Sequence, residues 1–222
     1  MMCPARRQRS ARGSGADLRA EILSVTKELL AEKGSAEAVS IRMIAKAVGV
    51  TAPSIYRHFA DKDVLIEAVC AEVFAELEAP LAAALEGVEA PLDRLLAAAH
   101  AYVRFALAHP ENYRISMMQI SDSVTALDMV LSAAAFQKLV ELIGDCIAAG
   151  IFPDEDPVPM ALEAWSAVHG MAALMVAKPY LPWGDQDAFV DRLIRGSVAG
   201  ACLIRRPSGE PLPPDVLAWA VR

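Results

Sequence analysis

Three polar side chains, Tyr56, His58 and Lys62, lie close together in one short stretch of the sequence. A phenol hydroxyl and an imidazole N–H each donate a hydrogen bond, and an ammonium adds a full positive charge. Donors of this kind bind phosphate oxygens without distinguishing one base from another. The residue types and their spacing therefore point to contacts with the phosphate backbone of a nucleic acid.

The stretch from Ser40 to Lys62 has the pattern of a helix-turn-helix. Ser40 predicts the start of one short helix, and Gly49 predicts the turn that follows it. Thr51 and Pro53 then predict the start of a second short helix. A small residue at the helix crossing and a miniature apolar core are expected to hold the pair together. These residues are Ala45, Ile44, Val50 and Ile55.

The second helix of the pair presents polar side chains near its N-terminal end, the part that meets base edges in the major groove. Backbone N–H groups at this end also attract phosphate. The outward side chains are Ala52, Ser54, Tyr56 and Arg57. Lys62 falls in the first turn of the next helix, where the helix dipole disfavours a cation by about 0.3–1 kcal/mol. A bound phosphate would offset that cost, so the position of Lys62 agrees with a DNA-binding function.

The composition is that of a globular protein, with 222 residues, 55% of them apolar, and a formal charge of −7. Residues 1–66 hold 11 basic and 7 acidic side chains, whereas the rest holds 10 and 21. A polyanion is therefore expected only at the N-terminal end. The longest apolar stretch, residues 164–177, is shorter than the roughly 20 residues of a membrane-spanning helix. No apolar segment of a secretory signal follows the basic N-terminus, so we expect a cytoplasmic protein without a membrane partner.

The sequence gives little indication of catalysis or of metal binding. The four cysteines are far apart, and no histidine has a cysteine at ligand spacing. The acidic run at residues 154–156 is best explained as a solvated loop. Sequence patterns of serine hydrolases, dinucleotide-binding folds, phosphate-binding loops and zinc proteases are missing. We predict no enzyme activity, no cofactor and no metal.

The sequence pattern is helical throughout, which predicts an all-α fold with an N-terminal three-helix DNA-binding domain and a larger C-terminal helical domain. The helix that starts at Asp61 is expected to run past Leu77 and to stop at Pro80 or before Gly87. Later helices are expected at 91–108, 111–121, 124–149, 158–178 and 186–205. The predicted parts are a basic arm at 1–16, the helix-turn-helix domain at 17–70, the C-terminal domain at 71–206 and a Pro-rich tail at 207–222. The arm, with Arg6 to Arg12, either reaches the DNA or is a solvated end.

From Asp17 to Val69 the sequence resembles the N-terminal domain of the TetR family of bacterial transcriptional regulators. The resemblance rests on Ile-Arg-x-Ile-Ala-x-x-x-Gly-Val, which begins at Ile41, and on Ser-Ile-Tyr-Arg-His-Phe-x-x-Lys, which begins at Ser54. It implies phosphate contacts by Tyr56, His58 and Lys62, and groove-facing positions on the second helix. The implied DNA-binding residues are Ser40, Arg42, Thr51, Ala52, Pro53, Ser54, Tyr56, Arg57, His58 and Lys62.

Two further elements, His-Pro-Glu-Asn-Tyr-Arg at 109–114 and Trp-Ser-Ala-Val-His-Gly at 165–170, resemble the C-terminal helical ligand-binding and dimerisation domain of a TetR subgroup. The resemblance implies a homodimer that binds a double-stranded operator and is released when an unidentified small molecule enters a cavity. The expected cavity residues are His100, Arg104, Tyr113, Met117, Phe136, Trp165 and His169. The expected dimer residues are Val168, Ala172, Phe189, Leu193, Gly196 and Gly200. Trp165 and His169 could face either the cavity or the dimer seam.

The function predicted on this basis is that of a repressor that a largely apolar effector releases from a palindromic operator. A DNA-binding activator and an architectural DNA-binding protein without effector control remain alternatives, because both would hold DNA in the same way. The size of the C-terminal part favours control by a ligand.

Overall fold

A computed structural model describes residues 14–117, 134–206 and 211–222, without the side chains of Ser14 and residues 115–117. These residues form helices without strands, which confirms the all-α prediction. Most of the basic arm and the segment 118–133 lie outside the described residues. The helices are α1 (Ser14–Lys33), α2 (Ile41–Val48), α3 (Ala52–Tyr56), α4 (Lys62–Glu76), α5 (Glu78–Leu85), α6 (Pro91–Ala108), α7 (Pro110–Met117), α8 (Ala134–Ala148), α9 (Pro157–Ala177), α10 (Gln186–Ile204) and α11 (Pro214–Ala220).

The chain divides into two compact units. The N-terminal unit holds the described residues 14–73 and 111–117, and the C-terminal unit holds 74–110, 134–206 and 211–222. The boundary in α4 therefore falls between Val73 and Phe74, a few residues beyond the position expected from the sequence.

The N-terminal unit is built on α1, which packs against α2, and α2 packs against α3. Gly34 ends α1 with a φ of +74°, a conformation that glycine adopts without the steric cost of a side chain. Its N–H donates to the carbonyl of Leu30 at 2.9 Å. Ile22 and Leu30 on α1 are completely or almost completely buried, and so is Ile44 on α2. One continuous apolar core thus holds the DNA-facing helices.

The helix that starts after Asp61 ends earlier than expected. It stops at Glu76, and a new helix, α5, begins at Glu78. Pro80 does not terminate a helix here, because it lies in the first turn of α5, where its missing N–H has no intrahelical partner to lose.

The C-terminal unit has α9 at its centre, in contact with α6, α8 and α10. With 21 residues, α9 is long and apolar enough to cross a membrane, so the length argument made from residues 164–177 was wrong. One such helix is weak evidence for a membrane span, since core helices also have this composition. Residues Met160, Ala161, Val168, Met171, Ala172 and Met175 of α9 are buried inside the unit.

The Pro-rich tail contains a structured element. After Pro213, α11 packs against α10, and Val216 and Trp219 are buried. The Trp219 indole N–H donates to Asp93 at 2.7 Å, while the Arg195 guanidinium stacks 4.6 Å above the Trp219 ring. Prolines dominate the first half of the tail, whereas the residues in its second half contact α6 and α10.

Candidate nucleic-acid interface and ligand cavity

The turn between α2 and α3 has the geometry that its sequence predicts. The Ser40 hydroxyl accepts a hydrogen bond from the Met43 N–H at 3.3 Å, which caps α2. Gly49 adopts a φ of +78° at the other end, and the next N–H, of Val50, donates to the Ala45 carbonyl at 2.9 Å. Ala45 is buried where the helices cross.

The recognition helix α3 is anchored by one side chain and presents the others. Ile55 is completely buried, whereas the neighbouring Tyr56 is 52% exposed. Pro53 lies in the first turn of α3, as its fixed φ favours. Among the predicted DNA-binding residues, the exposed ones are Ser40, Arg42, Thr51, Pro53, Tyr56 and Arg57, and the half-buried ones are Ala52, Ser54, His58 and Lys62.

Three of these side chains form a hydrogen-bonded chain along α3. The hydroxyls of Thr51 and Ser54 lie 3.1 Å apart, and the Arg57 guanidinium donates to the Ser54 hydroxyl at 3.2 Å. Ser54 therefore holds the guanidinium of Arg57 against the surface of the helix.

Lys62 has a partner inside the protein. Its ammonium donates to the carbonyls of Ala36 at 2.9 Å and of Val39 at 3.4 Å, both in the loop between α1 and α2. Asp61 caps α4 by accepting from the Val64 N–H at 2.9 Å. The unfavourable place of Lys62 in the helix dipole is thus offset partly by backbone carbonyls, and a phosphate is not required to explain it.

Arg19 was missed by the sequence reasoning. Its guanidinium lies 5.0 Å above the ring of Phe59, at the end of the predicted DNA-binding segment. This cation–π contact adds a positive charge beside that segment. No local pattern could reveal it, because the partners come together only when α1 packs in the folded unit.

The C-terminal unit contains a cavity of about 200 Å³. Its walls come from the end of α4 and from α5, α6, α8, α9 and α10. They are formed mainly by aliphatic side chains, with the aromatic rings of Phe74, Tyr102, Phe136, Phe152 and Trp165 among them. The cavity therefore suits an apolar guest.

Two of the seven residues expected at the cavity, Phe136 and Trp165, line it. Tyr113 is completely buried but belongs to the N-terminal unit. The side chain of Met117 lies outside the described part of the chain.

The expectation for His100 and Arg104 is corrected by the structure, since neither lines the cavity. Both side chains instead contact aspartate carboxylates of α10. His100 shares a 2.6 Å hydrogen bond with Asp191, and Arg104 donates to Asp187 at 3.0 Å. The guanidinium of Arg104 also lowers the pKa of Asp187 through this hydrogen bond.

Tyr102 lines the cavity, although the sequence reasoning did not select it. Its hydroxyl accepts from the Trp165 indole N–H at 3.3 Å and shares a 3.0 Å hydrogen bond with Nδ1 of His169. Burial lowers the pKa of His169, so the neutral imidazole is favoured. His169 is thus a hydrogen-bonded histidine behind the wall rather than part of the lining. Tyr102 could have been found from its helical spacing to the apolar positions Ala98 and Ala99.

The expected dimer residues divide into two groups. Val168 and Ala172 are buried within one subunit, and Val168 lines the cavity, so neither is available to a partner. Gly196 is exposed, and Phe189, Leu193 and Gly200 are half-buried. The outer row of α9 holds residues that the sequence reasoning did not name: Leu162, Ser166, Gly170 and Leu174.

Comparisons with known proteins agree with this architecture. Residues 22–69 match the family described as bacterial regulatory proteins, tetR family. Residues 95–196 match the tetracyclin repressor-like C-terminal domain. No curated protein matches the chain.

Several solved structures are similar over most of their length. A protein of unknown function from Rhodococcus sp. RHA1 is 28% identical, with a TM-score of 0.67, over 87% of this chain and 98% of that one. NalD, the secondary repressor of the MexAB-OprM multidrug efflux pump in Pseudomonas aeruginosa, is 22% identical, with a TM-score of 0.61, over 85% and 98%. FadR from Bacillus subtilis, in complex with stearoyl-CoA, is 14% identical, with a TM-score of 0.68, over 82% and 98%. The two matched domains of one family together cover more than half of the chain, and the chain belongs to the TetR family of bacterial transcriptional regulators.

Proposed function

We propose that this TetR-family regulator is a repressor that binds a palindromic operator as a homodimer and leaves it when a small apolar effector occupies the cavity of the C-terminal unit. Family membership makes the chain a DNA-binding transcription regulator and not an enzyme. Repression, the dimeric state, the operator and release by a ligand are the proposed part. As a DNA-binding regulator, it is expected to act in the cytoplasm.

The proposed DNA interface is the surface of α2 and α3 with the start of α4. Exposed Tyr56 and Arg57 lie beside half-buried Ser54 and His58 on and just after α3. The N-terminal half of a recognition helix meets base edges, while flanking donors bind phosphate. We assign base reading to Arg57 and phosphate contacts to Tyr56, His58 and Lys62.

The proposed dimer interface is the outer face of α9 and α10. Glycine inside a helix costs about 1 kcal/mol relative to alanine, yet Gly170, Gly196 and Gly200 all lie within these two helices. A Cβ atom added at any of the three would meet no atom within 4 Å. Packing within one subunit therefore does not require these glycines, whereas close approach of a partner helix would. We propose two-fold pairing across the helices that carry these glycines, since closed homodimers are the commonest oligomers. To enter successive major grooves, the recognition helices of the two copies must lie about one DNA turn apart, roughly 34–36 Å.

The observation that supports control by a ligand is the cavity of about 200 Å³ in the C-terminal unit. A pocket of this kind, lined mainly by apolar side chains with a few polar groups, is the usual form of a small-molecule site. Phe74, in the last turn of α4, is part of its wall. A ligand that moves Phe74 would act on the same continuous helix that begins at Lys62. We propose this helix as the route from the cavity to the DNA-binding surface.

A mobility-shift titration with fragments of the promoter region of its own gene tests the proposal. At low ionic strength we expect a specific complex with two subunits per site, and transcription from that promoter in vitro should fall as the protein is added. Increased transcription would identify an activator. Retention of the complex with every small apolar compound tested would identify an architectural protein.

A further inference from the structure

We infer that the ligand of the cavity is a small uncharged aromatic molecule with one hydroxyl or carbonyl oxygen, which accepts a hydrogen bond from the Trp165 indole N–H. This inference rests on the ligand control proposed above. It specifies the chemistry of the effector from the size, the charge and the polar groups of the cavity wall.

The volume sets the size of the ligand. An engineered protein cavity of about 150 Å³ binds benzene, which has six carbon atoms. In proportion, the cavity of about 200 Å³ accommodates roughly eight non-hydrogen atoms. A substituted single ring is of this size, whereas a long acyl chain is not.

The charged residues of the wall favour an uncharged ligand. Lys138 and Glu163 both line the cavity, and both are paired within the subunit. The Lys138 ammonium donates to Glu141, and the Arg205 guanidinium donates to Glu163 at 2.6 Å. A ligand carboxylate or ammonium would enter the apolar part of the wall without a counter-ion, which is costly.

The aromatic residues favour a planar ring. The rings of Phe136 and Trp165 meet edge to face, with centroids 6.2 Å apart, and both line the cavity. The ring of Tyr102 lies in the same wall. A flat guest can extend this arrangement through further offset or edge-to-face contacts.

The indole N–H is the hydrogen-bond donor that a ligand can use at least cost. Its bond to the Tyr102 oxygen is 3.3 Å long, beyond the usual 2.9–3.0 Å of an N–H···O bond. The hydroxyl of Tyr102 keeps its 3.0 Å hydrogen bond to His169 when the indole turns to another acceptor. An oxygen on the guest therefore replaces a long bond with one of normal length.

Calorimetric titration of the DNA-free full-length protein with three single-ring probes of similar size tests the inference: 4-ethylphenol, ethylbenzene and benzoate. We expect 4-ethylphenol to bind at least tenfold more tightly than ethylbenzene, and benzoate not to bind at pH 7. The variant Trp165→Phe keeps an aromatic ring and removes the N–H, so it should reduce the preference for 4-ethylphenol to about one. Trp183→Phe is the matched control, since the Trp183 indole donates to Lys178 outside the cavity, and it should keep the preference.

Equal binding of 4-ethylphenol and ethylbenzene, or an unchanged preference in Trp165→Phe, would overturn the hydrogen bond to the indole. Binding of benzoate would overturn the requirement for an uncharged ligand. No binding of 4-ethylphenol up to its solubility limit would overturn the inference as a whole. Binding with the expected selectivity but without release of DNA would support the inference and contradict the proposed ligand control, so the two failures are distinguishable.

Discussion

The ammonium of Lys62 donates to the carbonyl of Ala36 at 2.9 Å and so joins the start of α4 to the loop between α1 and α2. The resemblance to the family assigns Lys62 to a phosphate contact, and an ammonium with three donors can serve both partners. Lys62 therefore connects the stability of the N-terminal unit with its proposed DNA contacts.

Lys62→Met is expected to lower the free energy of unfolding by about 1–2 kcal/mol, because it removes charged hydrogen bonds to two carbonyls from a half-buried site. It should also weaken binding to all DNA sequences equally and reduce the slope of log K against log salt by about 0.9. Urea unfolding and binding at several salt concentrations measure the two effects. The stability control is Lys46→Met, at an exposed position of α2, which should stay within about 0.5 kcal/mol of the wild type. An unchanged salt slope would show that Lys62 acts only through the loop.

Arg57→Ala is expected to relax the preference at one base pair of each half-site by about 1–3 kcal/mol, since a guanidinium reads a base edge with two hydrogen bonds. Ser54→Ala should affect the same base pair less strongly, because the Ser54 hydroxyl only orients the guanidinium. A set of operators with single base-pair changes, measured at fixed salt, provides the readout. Losses of equal size on all operators would contradict base reading by Arg57.

Leu174→Glu places a charge on the outer row of α9 and should convert a dimer into a monomer of 23.7 kDa. The matched control is Leu217→Glu on α11, because the exposed fractions of the two leucines are almost equal, at 53% and 52%. We expect the control to remain a dimer in light scattering and to retain DNA binding. A wild-type protein that is monomeric at micromolar concentration would remove the dimer proposal.

Burial lowers the pKa of His169 in the folded protein, so its contribution to stability depends on pH in a defined direction. In the unfolded chain a histidine takes up a proton at a pH of about 6.5. Below that pH the unfolded state binds more protons, and the free energy of unfolding falls as the pH decreases through the lower pKa of the folded state. His169→Gln should flatten this decline below a pH of about 6.5 in urea titrations. An identical decline in wild type and His169→Gln would contradict the assignment.

Trp219→Ala should lower the free energy of unfolding by about 3 kcal/mol, the usual cost of truncating a buried tryptophan. Trp219 is only 2% exposed, and its loss also removes the hydrogen bond to Asp93 and the ring under the Arg195 guanidinium. Val221→Ala, at an exposed position, is the control. A change below 1 kcal/mol would show that α11 contributes little to the unit.

The helix-turn-helix could be predicted from the sequence because its determinants are local. The cap at Ser40, the turn at Gly49 and the crossing at Ala45 act over one or two helical turns. The cavity could not be predicted in the same way, because its wall depends on how the faces of separate helices meet. His100 and Tyr102 are two residues apart on α6, yet one faces the acids of α10 and the other the cavity.

The apolar character of a helix face also does not show whether that face is buried inside one subunit or in an interface between two subunits. Val168 and Ala172 suit either environment, and the structure places both inside one subunit. The sequence does not predict the break between α4 and α5, because leucine at position 77 is not a residue that ends helices. Pro80 is such a residue, but it lies in the first turn of α5, where proline is tolerated.

The three glycines within α9 and α10 make the single subunit less stable than an alanine-bearing equivalent, by roughly 1 kcal/mol at each position. If close pairing of two chains restores that loss, dissociation and unfolding become coupled equilibria. The melting temperature should then rise as the protein is concentrated, and the regulator should be most vulnerable to proteolysis when it is scarce in the cell.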